Sequence, residues 1–516
     1  MKLPVAAAFL IIAATLPAKE PTDDPLPPGA VERYGSLRLN LGPHYDFGLA
    51  LAPDASWVAA KSDYSRIFVW DVKSGREIAR IGEVNDRSNG NLHATPDGRW
   101  LIELGGEEGE HGLVHFYETN TWKRKRTLRL GKTGRNQRSG LVWSAAISQD
   151  GKSLAILFGR WKAALGIWDI ETGKRLQLLE GFDTGGDIGR IAFVDGDRKI
   201  AYVEGEYTYG GAQPKWMELD LTSIEVKPYM DFPYLPQHPR EISFGAKHSA
   251  WIEGNALVRL PDGTEEIFRK DHKFESYLEA VSISWDGKYL ATIVKGKIQV
   301  WDRENETEIS PAHPQPLDFW RLNRDPSPKP LELSGFRFVM ERDDVEFQKP
   351  TEHQLPIHQF KARQPDGSWK TFSFGKKQIE SRAPNWLFAS PNQQLLAGAG
   401  QDQALIWNRR TGKPVHEFAG SGSWVSEGRF SPSGRLFAVG AKEPDIDFQK
   451  ANGSWRVDLY DTKTWDLIQS FRRTEEFETG SGFAPGLVAF DEKETHLLIA
   501  YEDRTSLIWK IEANLR

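Results

Sequence analysis

The strongest constraint on this chain is that it repeats itself. The stretch IFVWDVKSGREIARIG at Ile67 returns as LGIWDIETGKRLQLLEG at Leu165 and as LIWNRRTGKPVHEFAG at Leu405. A recurring unit of this kind cannot bury its apolar face alone and must stack on its neighbours, so the period is read before any single motif. A second half-unit alternates with the first: LALAPDASWVAAK at Leu49, LHATPDGRWLIEL at Leu92, AAISQDGKSLAIL at Ala145, VSISWDGKYLATI at Val281 and GRFSPSGRLFAVG at Gly428. Each has two apolar runs around a polar turn. The Asp-Gly and Ser-Gly pairs tolerate the positive φ of a tight turn, which predicts a β-hairpin.

The first half-unit carries Trp70-Asp71, Trp168-Asp169, Trp301-Asp302 and Trp407-Asn408 at the end of its first apolar run. Two further copies, from Tyr117 and Tyr460, replace the Ser-Gly or Thr-Gly turn by Thr-x-Thr-Trp, a shared spelling that points to duplication. Together the halves make four short strands, a to d, recurring at roughly 40 to 50 residues, the spacing of a propeller blade. The Pro-Asp-Gly type a–b turns and the Trp-Asp at the end of strand c resemble WD40-repeat proteins of exported bacterial type, over most of 34–516. The resemblance implies an all-β fold, a β-propeller of four-stranded blades. The Gly-His pair that opens such repeats is absent, so their His–Asp–Ser/Thr–Trp network is not expected, and packed Trp, Phe, Ile and Val must hold blade to blade.

About ten blade-like units begin near His44, Asn91, Trp143, Gly189, Glu241, Ala280, Leu331, Asn385, Glu427 and Gly486. The unit from Glu241 lacks Trp-Asp, and the unit from Leu331 is degenerate, with a hairpin pattern only in IHQFKARQPDGSWKTFSFG. Because single rings hold about four to eight blades, ten units imply one large ring or two interlocked ones. The Pro-rich stretch 310–330 is the expected internal boundary, since Pro interrupts ladders. The final copy, LIWKIEANLR, ends where its strand d should begin. An N-terminal run, YGSLRLNLG at 34–42, alternates as a strand and is expected to complete that last blade by pairing with 507–511. Trp57, Trp100 and Trp251 are expected in the core, at the strand-b position of Leu154 and Leu290.

The N-terminus, MKLPVAAAFLIIAATLPAKE, has one Lys, an apolar run and a small-residue site, the layout of a signal peptide spanning 1–18. The apolar run is shorter than the roughly twenty residues that span a bilayer, so no stable membrane span is expected after cleavage. A Pro-rich tether at 19–33 then leads into the propeller region 34–516. These features predict an exported protein, periplasmic or extracellular. With no cysteine, neither a lipid-anchored Cys nor a disulfide contributes. The net charge of −6, with both signs interspersed, gives no footprint for nucleic acid.

In a propeller the a–b and c–d turns lie on one face, and the b–c and d–a connections lie on the other. The a–b and c–d turns here are short, whereas long stretches fall in b–c and d–a positions, among them those from Gly105, Gly159, Gly205 and Ala441 and those from Glu83, Gly131 and Arg472. Long loops on a rigid scaffold carry binding, and aromatics with Arg dominate hot spots. The candidates on that face are Arg135, Arg160, Trp161, Tyr207, Tyr209, Trp424 and Phe448, ordinary surface positions being the simpler reading for each. No Gly-x-Ser-x-Gly, His-Glu-x-x-His or phosphate loop occurs, so no catalytic residue and no cofactor is assigned. Asp445 with Asp447, and Glu107, Glu108 and Glu110 with His111, fall short of ligand spacing, so no metal is assigned. The expected function is a non-catalytic extracytoplasmic scaffold for a protein or cell-envelope polymer. The alternative is a propeller enzyme of lactonase, lyase or quinoprotein type, with residues from several blades meeting at the channel mouth.

Overall fold

The strands expected from the repeats are present in a computed structural model. It describes residues 24, 26–36, 38–41, 48–61, 66–82, 91–105, 112–130, 142–159, 163–182, 191–204, 215–228, 242–244, 249–253, 255–259, 265–267, 278–294, 296–311, 330–340, 345–348, 359–374, 386–399, 404–418, 425–442, 455–473, 485–501 and 505–512. Among these, nine four-stranded sheets form blades 1 to 9, spanning 48–81, 92–129, 142–182, 191–228, 242–267, 278–308, 386–417, 425–472 and 485–510. Within blades 1 to 8 the strands pair antiparallel in chain order. The unit lacking Trp-Asp is a complete blade 5. The degenerate unit is a two-stranded sheet, Leu331–Leu333 with Phe336–Phe338, followed by a three-stranded one, 347–373.

The turns close themselves. Ser148, the last residue before the a–b turn of blade 3, donates its hydroxyl to Asp150 at 2.7 Å and accepts from the Ser153 amide at 2.8 Å. Ser284 with Asp286 and Thr95 with Asp97 repeat this in blades 6 and 2. Gly151 in the same turn has φ +72°, a value that disfavours any side chain. At the c–d turn the acid of the Trp-Asp pair plays the equivalent part. Asp169 accepts from the Thr172 amide at 2.7 Å and its hydroxyl at 2.6 Å, and Asp71 does the same with Ser74. In these blades the repeated Asp is therefore a turn cap. Trp407 donates to the Ser373 carbonyl of the preceding sheet, while among the described residues none accepts from Trp509 Nε1. Apolar packing joins the blades, with polar contacts added between particular pairs of them.

Continuous apolar layers lie between neighbouring sheets: blade 1 with 2, 2 with 3, and 3 with 4. Blade 5 lies against blade 6. Blade 6 then packs back on blade 1, where Ala291, Ile293, Ile298 and Val300 meet Leu49, Leu51, Phe68 and Trp70. A second series runs from the three-stranded sheet to blade 7, then 8, then 9, and blade 9 packs on the two-stranded sheet through Leu498, Ala500 and Ile508 against Leu333, Phe338 and Met340. The fold is thus a β-propeller whose sheets fall into two series, the first packing back on itself where blade 6 meets blade 1. Blade 9 is the link, because its fourth strand is N-terminal: Ala30–Tyr34 pairs antiparallel with Ser506–Lys510.

Two expectations need correction. The strand that completes the last blade is 30–34, upstream of the expected run; of that run only Tyr34 pairs there, while 39–41 pair instead with 296–298 of blade 6. Trp57 and Trp100 are buried as expected, but they stand opposite Asp71 and Glu118, whereas Leu154 and Leu290 stand opposite Trp168 and Trp301. The a–b turns of these four blades are equal in length, each closed by a bond such as Ala52 N–H to Trp57 or Ser148 N–H to Ser153, so Trp57 and Trp100 correspond to Ser153 and Tyr289, one residue before Leu154 and Leu290 and on the opposite face.

Candidate long-loop face

Antiparallel strands in chain order put every a–b and c–d turn at one rim of the blades and every b–c and d–a connection at the other. At the turn rim, adjacent blades touch turn to turn. A Cβ on Gly151 would meet Pro96 at 3.1 Å, and Asp197 of blade 4 accepts from the Gln149 amide of blade 3 at 2.6 Å. Glu494 of blade 9 accepts from the Ser433 amide of blade 8 in the same way, at 2.7 Å. The polar groups of this rim are spent on each other. The carboxyls of Asp169, Asp302 and Asp366 are held below the ordinary carboxylate range by hydrogen bonds from Thr172, Asn305 and Ser368.

The other rim is built differently. Here the first residues of strand a, the innermost strand, leave register with strand b in blades 3, 6, 8 and 9, between Val142 and Ser144, Leu278 and Ala280, Val425 and Gly428, and Pro485 and Leu487. A bulge adds a residue and re-aims the side chains around it. In blade 6 the added residue is Glu279, half-buried, whose carboxylate accepts from the Gly296 amide at 2.7 Å and so ties strand a to the b–c turn. Sequence inspection missed these bulges, because an extra residue at the start of a strand leaves the apolar pattern after it intact.

All seven candidate contact residues, Arg135, Arg160, Trp161, Tyr207, Tyr209, Trp424 and Phe448, lie outside the described residues, as do Asp445, Asp447, Glu107, Glu108, Glu110 and His111. What the structure places is the strand ends from which they extend. Arg129 and Val142, Phe158 and Ala163, Glu204 and Lys215, Glu417 and Val425, and Lys442 and Trp455 all stand at the long-loop rim.

Below this rim, between blades 1 and 2, a buried ionic group was also missed. Lys61 at the end of strand b reaches Glu103 at 2.5 Å, both side chains 1 % exposed, and Tyr117 donates to the other carboxylate oxygen at 2.9 Å. The signal was available, since WVAAK places a Lys on the face of strand b occupied by Trp57 and Ala59. A second polar group sits in an aromatic layer between blades 7 and 8. His416 stacks on Trp465 at 5.0 Å and meets Phe418 edge-on at 4.7 Å, and burial lowers its pKa from 6.5. Among the described residues no group of three His, Cys, Asp or Glu could hold a metal, and no helix is long and apolar enough to cross a membrane.

No family model matches the chain, and no curated protein matches it. One of the solved structures to which it is similar is the crystal structure of the tricorn protease, at 14 % identity and a TM-score of 0.34 over 90 % of this chain. The chain spans 46 % of that structure's length.

Proposed function

We propose that this protein is a non-catalytic, WD40-like interaction scaffold acting outside the cytoplasm, which engages a protein or cell-envelope polymer through its long-loop face. The observation that carries the reading is the asymmetry of the two rims. The turn rim is short and its polar groups cap one another, whereas the opposite rim bears the long insertions and the bulged strand starts. A rigid frame presenting extended loops on one side is the usual platform for recognition. The signal layout at 1–18 supports export, and the cysteine-free composition suits a fold held by burial and sheet pairing alone.

The test is affinity capture from envelope extract with three proteins: the unaltered chain, a chain with 205–214 and 443–454 shortened to tight turns, and a chain with Lys152 and Lys174 on the turn rim changed to Ala. Capture should fall only in the second. Equal capture by all three would remove the assignment of the face. The bulged strand starts at the channel end favour one other reading, the propeller enzyme, because bulges also collect beside active sites. Turnover of a lactone or polysaccharide lost on Glu279→Gln, with folding retained, would establish it instead.

A further inference from the structure

We infer that residues 30–41 form a double clasp, one continuous segment that supplies the outer strand to the last blade of both series and couples their closure. The first half is a true strand d. In blades 1, 3 and 7 the c–d pairing skips one residue just after the turn, between Trp70↔Glu77 and Val69↔Ala79, Trp168↔Arg175 and Ile167↔Gln177, and Trp407↔Pro414 and Ile406↔His416. The skipped residues Ile78, Leu176 and Val415 point outward. In blade 9 the same skip falls between Trp509↔Ala30 and Ile508↔Glu32, leaving Val31 outward at 43 % exposure.

The second half does the same for blade 6. That blade's own strand d, Thr307–Glu308, pairs with Trp301 and Asp302 of strand c, and Ile309 and Ser310 after it carry the bonding no further than Val300. The other end of strand c is paired by the N-terminal segment: Ile298 N–H donates to Leu39 at 2.9 Å, Leu41 N–H donates to Gly296 at 2.8 Å, and Asn40 bridges Lys297. Leu39 and Leu41 are buried in the layer between blades 6 and 1. A further repeated contact identifies the position. Elsewhere a cationic side chain on strand d lies over the c–d glycine of the next blade, Arg126 over Gly173 and Lys370 over Gly412; Arg38 lies over Gly75 of blade 1 in the same way.

The two halves are locked where they meet. Ser36 is buried, and its carbonyl accepts from Lys297 Nζ at 2.5 Å and from Asn40 at 3.2 Å, while its hydroxyl donates to Asp24 at 3.0 Å. Withdrawing 30–34 from blade 9 therefore pulls on Ser36, whose carbonyl is held by both a buried Lys of blade 6 and Asn40. The second crossing between the series leaves from the same seam, with Pro311 against Gly75.

The chain has no cysteine, so two introduced thiols can pair only with each other. Tyr34 and Ser506 are cross-strand partners, and the double variant Tyr34→Cys, Ser506→Cys locks the blade 9 half when oxidised. Amide exchange, read by mass spectrometry against the reduced form, should slow at 506–510 and also at 39–41 and 296–300, by on the order of tenfold. Slowing at 506–510 alone, or nowhere, overturns the coupling. In the opposite direction, Leu39→Ala should speed exchange at 506–509 as well as at 296–300, and unchanged exchange at 506–509 would overturn it equally.

Discussion

Single side chains in this protein do recognisable work at turns and between blades. The Asp of the Trp-Asp pair caps the c–d turn, and for Asp169 and Asp302 hydrogen bonding to the charged form lowers the pKa in the folded state. Such a group contributes stability that is fully present above its unfolded value of 3.8 and is lost as pH falls through the lower folded value. Asp169→Asn should accordingly flatten the decline of thermal stability below pH 4, measured by circular dichroism against the unaltered protein. His416 also has a lowered pKa, caused by burial, so its neutral form favours folding; that contribution is complete above 6.5 and is lost as pH falls below it. His416→Phe should lose less melting temperature between pH 7 and pH 5 than the parent does. The pair Lys61 and Glu103 gives a third test. Lys61→Met strands a buried carboxylate and should cost about 3–5 kcal/mol in denaturant unfolding, while Lys61→Met with Glu103→Leu should recover most of it. Turn capping was legible in the sequence, because Asp, Ser, Thr and Gly stand at fixed offsets. The facing of Trp57 and Trp100 was not, because matching the first large apolar residue after the turn aligns Trp57 with Leu154, whereas the hydrogen bonds align it with Ser153, and one residue of offset reverses the face.

At the scale of strands, the recurring feature is the skipped residue in strand d. An outer strand offers unpaired amide and carbonyl groups, and a bulge with an outward side chain spoils it as a template for a further strand. The exposed Ile78, Leu176 and Val415 are therefore part of an edge device rather than of the core. Leu176→Lys should change stability by less than about 0.5 kcal/mol, as surface changes do, whereas Leu178→Lys, directed into the layer between blades 2 and 3, should cost several times as much in chemical denaturation. Deleting Leu176 outright should straighten the edge and raise self-association in light scattering. Strand existence was readable from alternation and turn residues in nearly every unit, including blade 5 without its Trp-Asp. Strand partnership was not. Leu39 and Leu41 look like a strand in sequence, but whether they pair with 296–298 or with 507–511 depends on contacts hundreds of residues away.

For the molecule as a whole, closure is the quantity that matters, since each series ends in a sheet that must find a neighbour. The Leu39 side chain is fully buried where blades 6 and 1 meet, and Leu39→Ala should lower stability by about 2–5 kcal/mol in equilibrium denaturation. Alternation and spacing foretold a propeller, a large blade number and an N-terminal strand in the last blade. They left one ring or two open, because the layer where blade 6 packs back on blade 1 is spelled with the same Val, Ile and Leu as every other layer. Which rim carries the long connections was legible for a simpler reason, connection length being visible in sequence. The position of the clasp also bears on how such a chain can change over generations. Both closing segments and their partners lie outside the repeats between 92 and 267, so copying or losing one whole blade there leaves 39–41 facing the same strand of blade 6. Blade number can drift by duplication, as the shared Thr-x-Thr-Trp turns suggest it has, while the twelve residues that finish the structure need no rewriting.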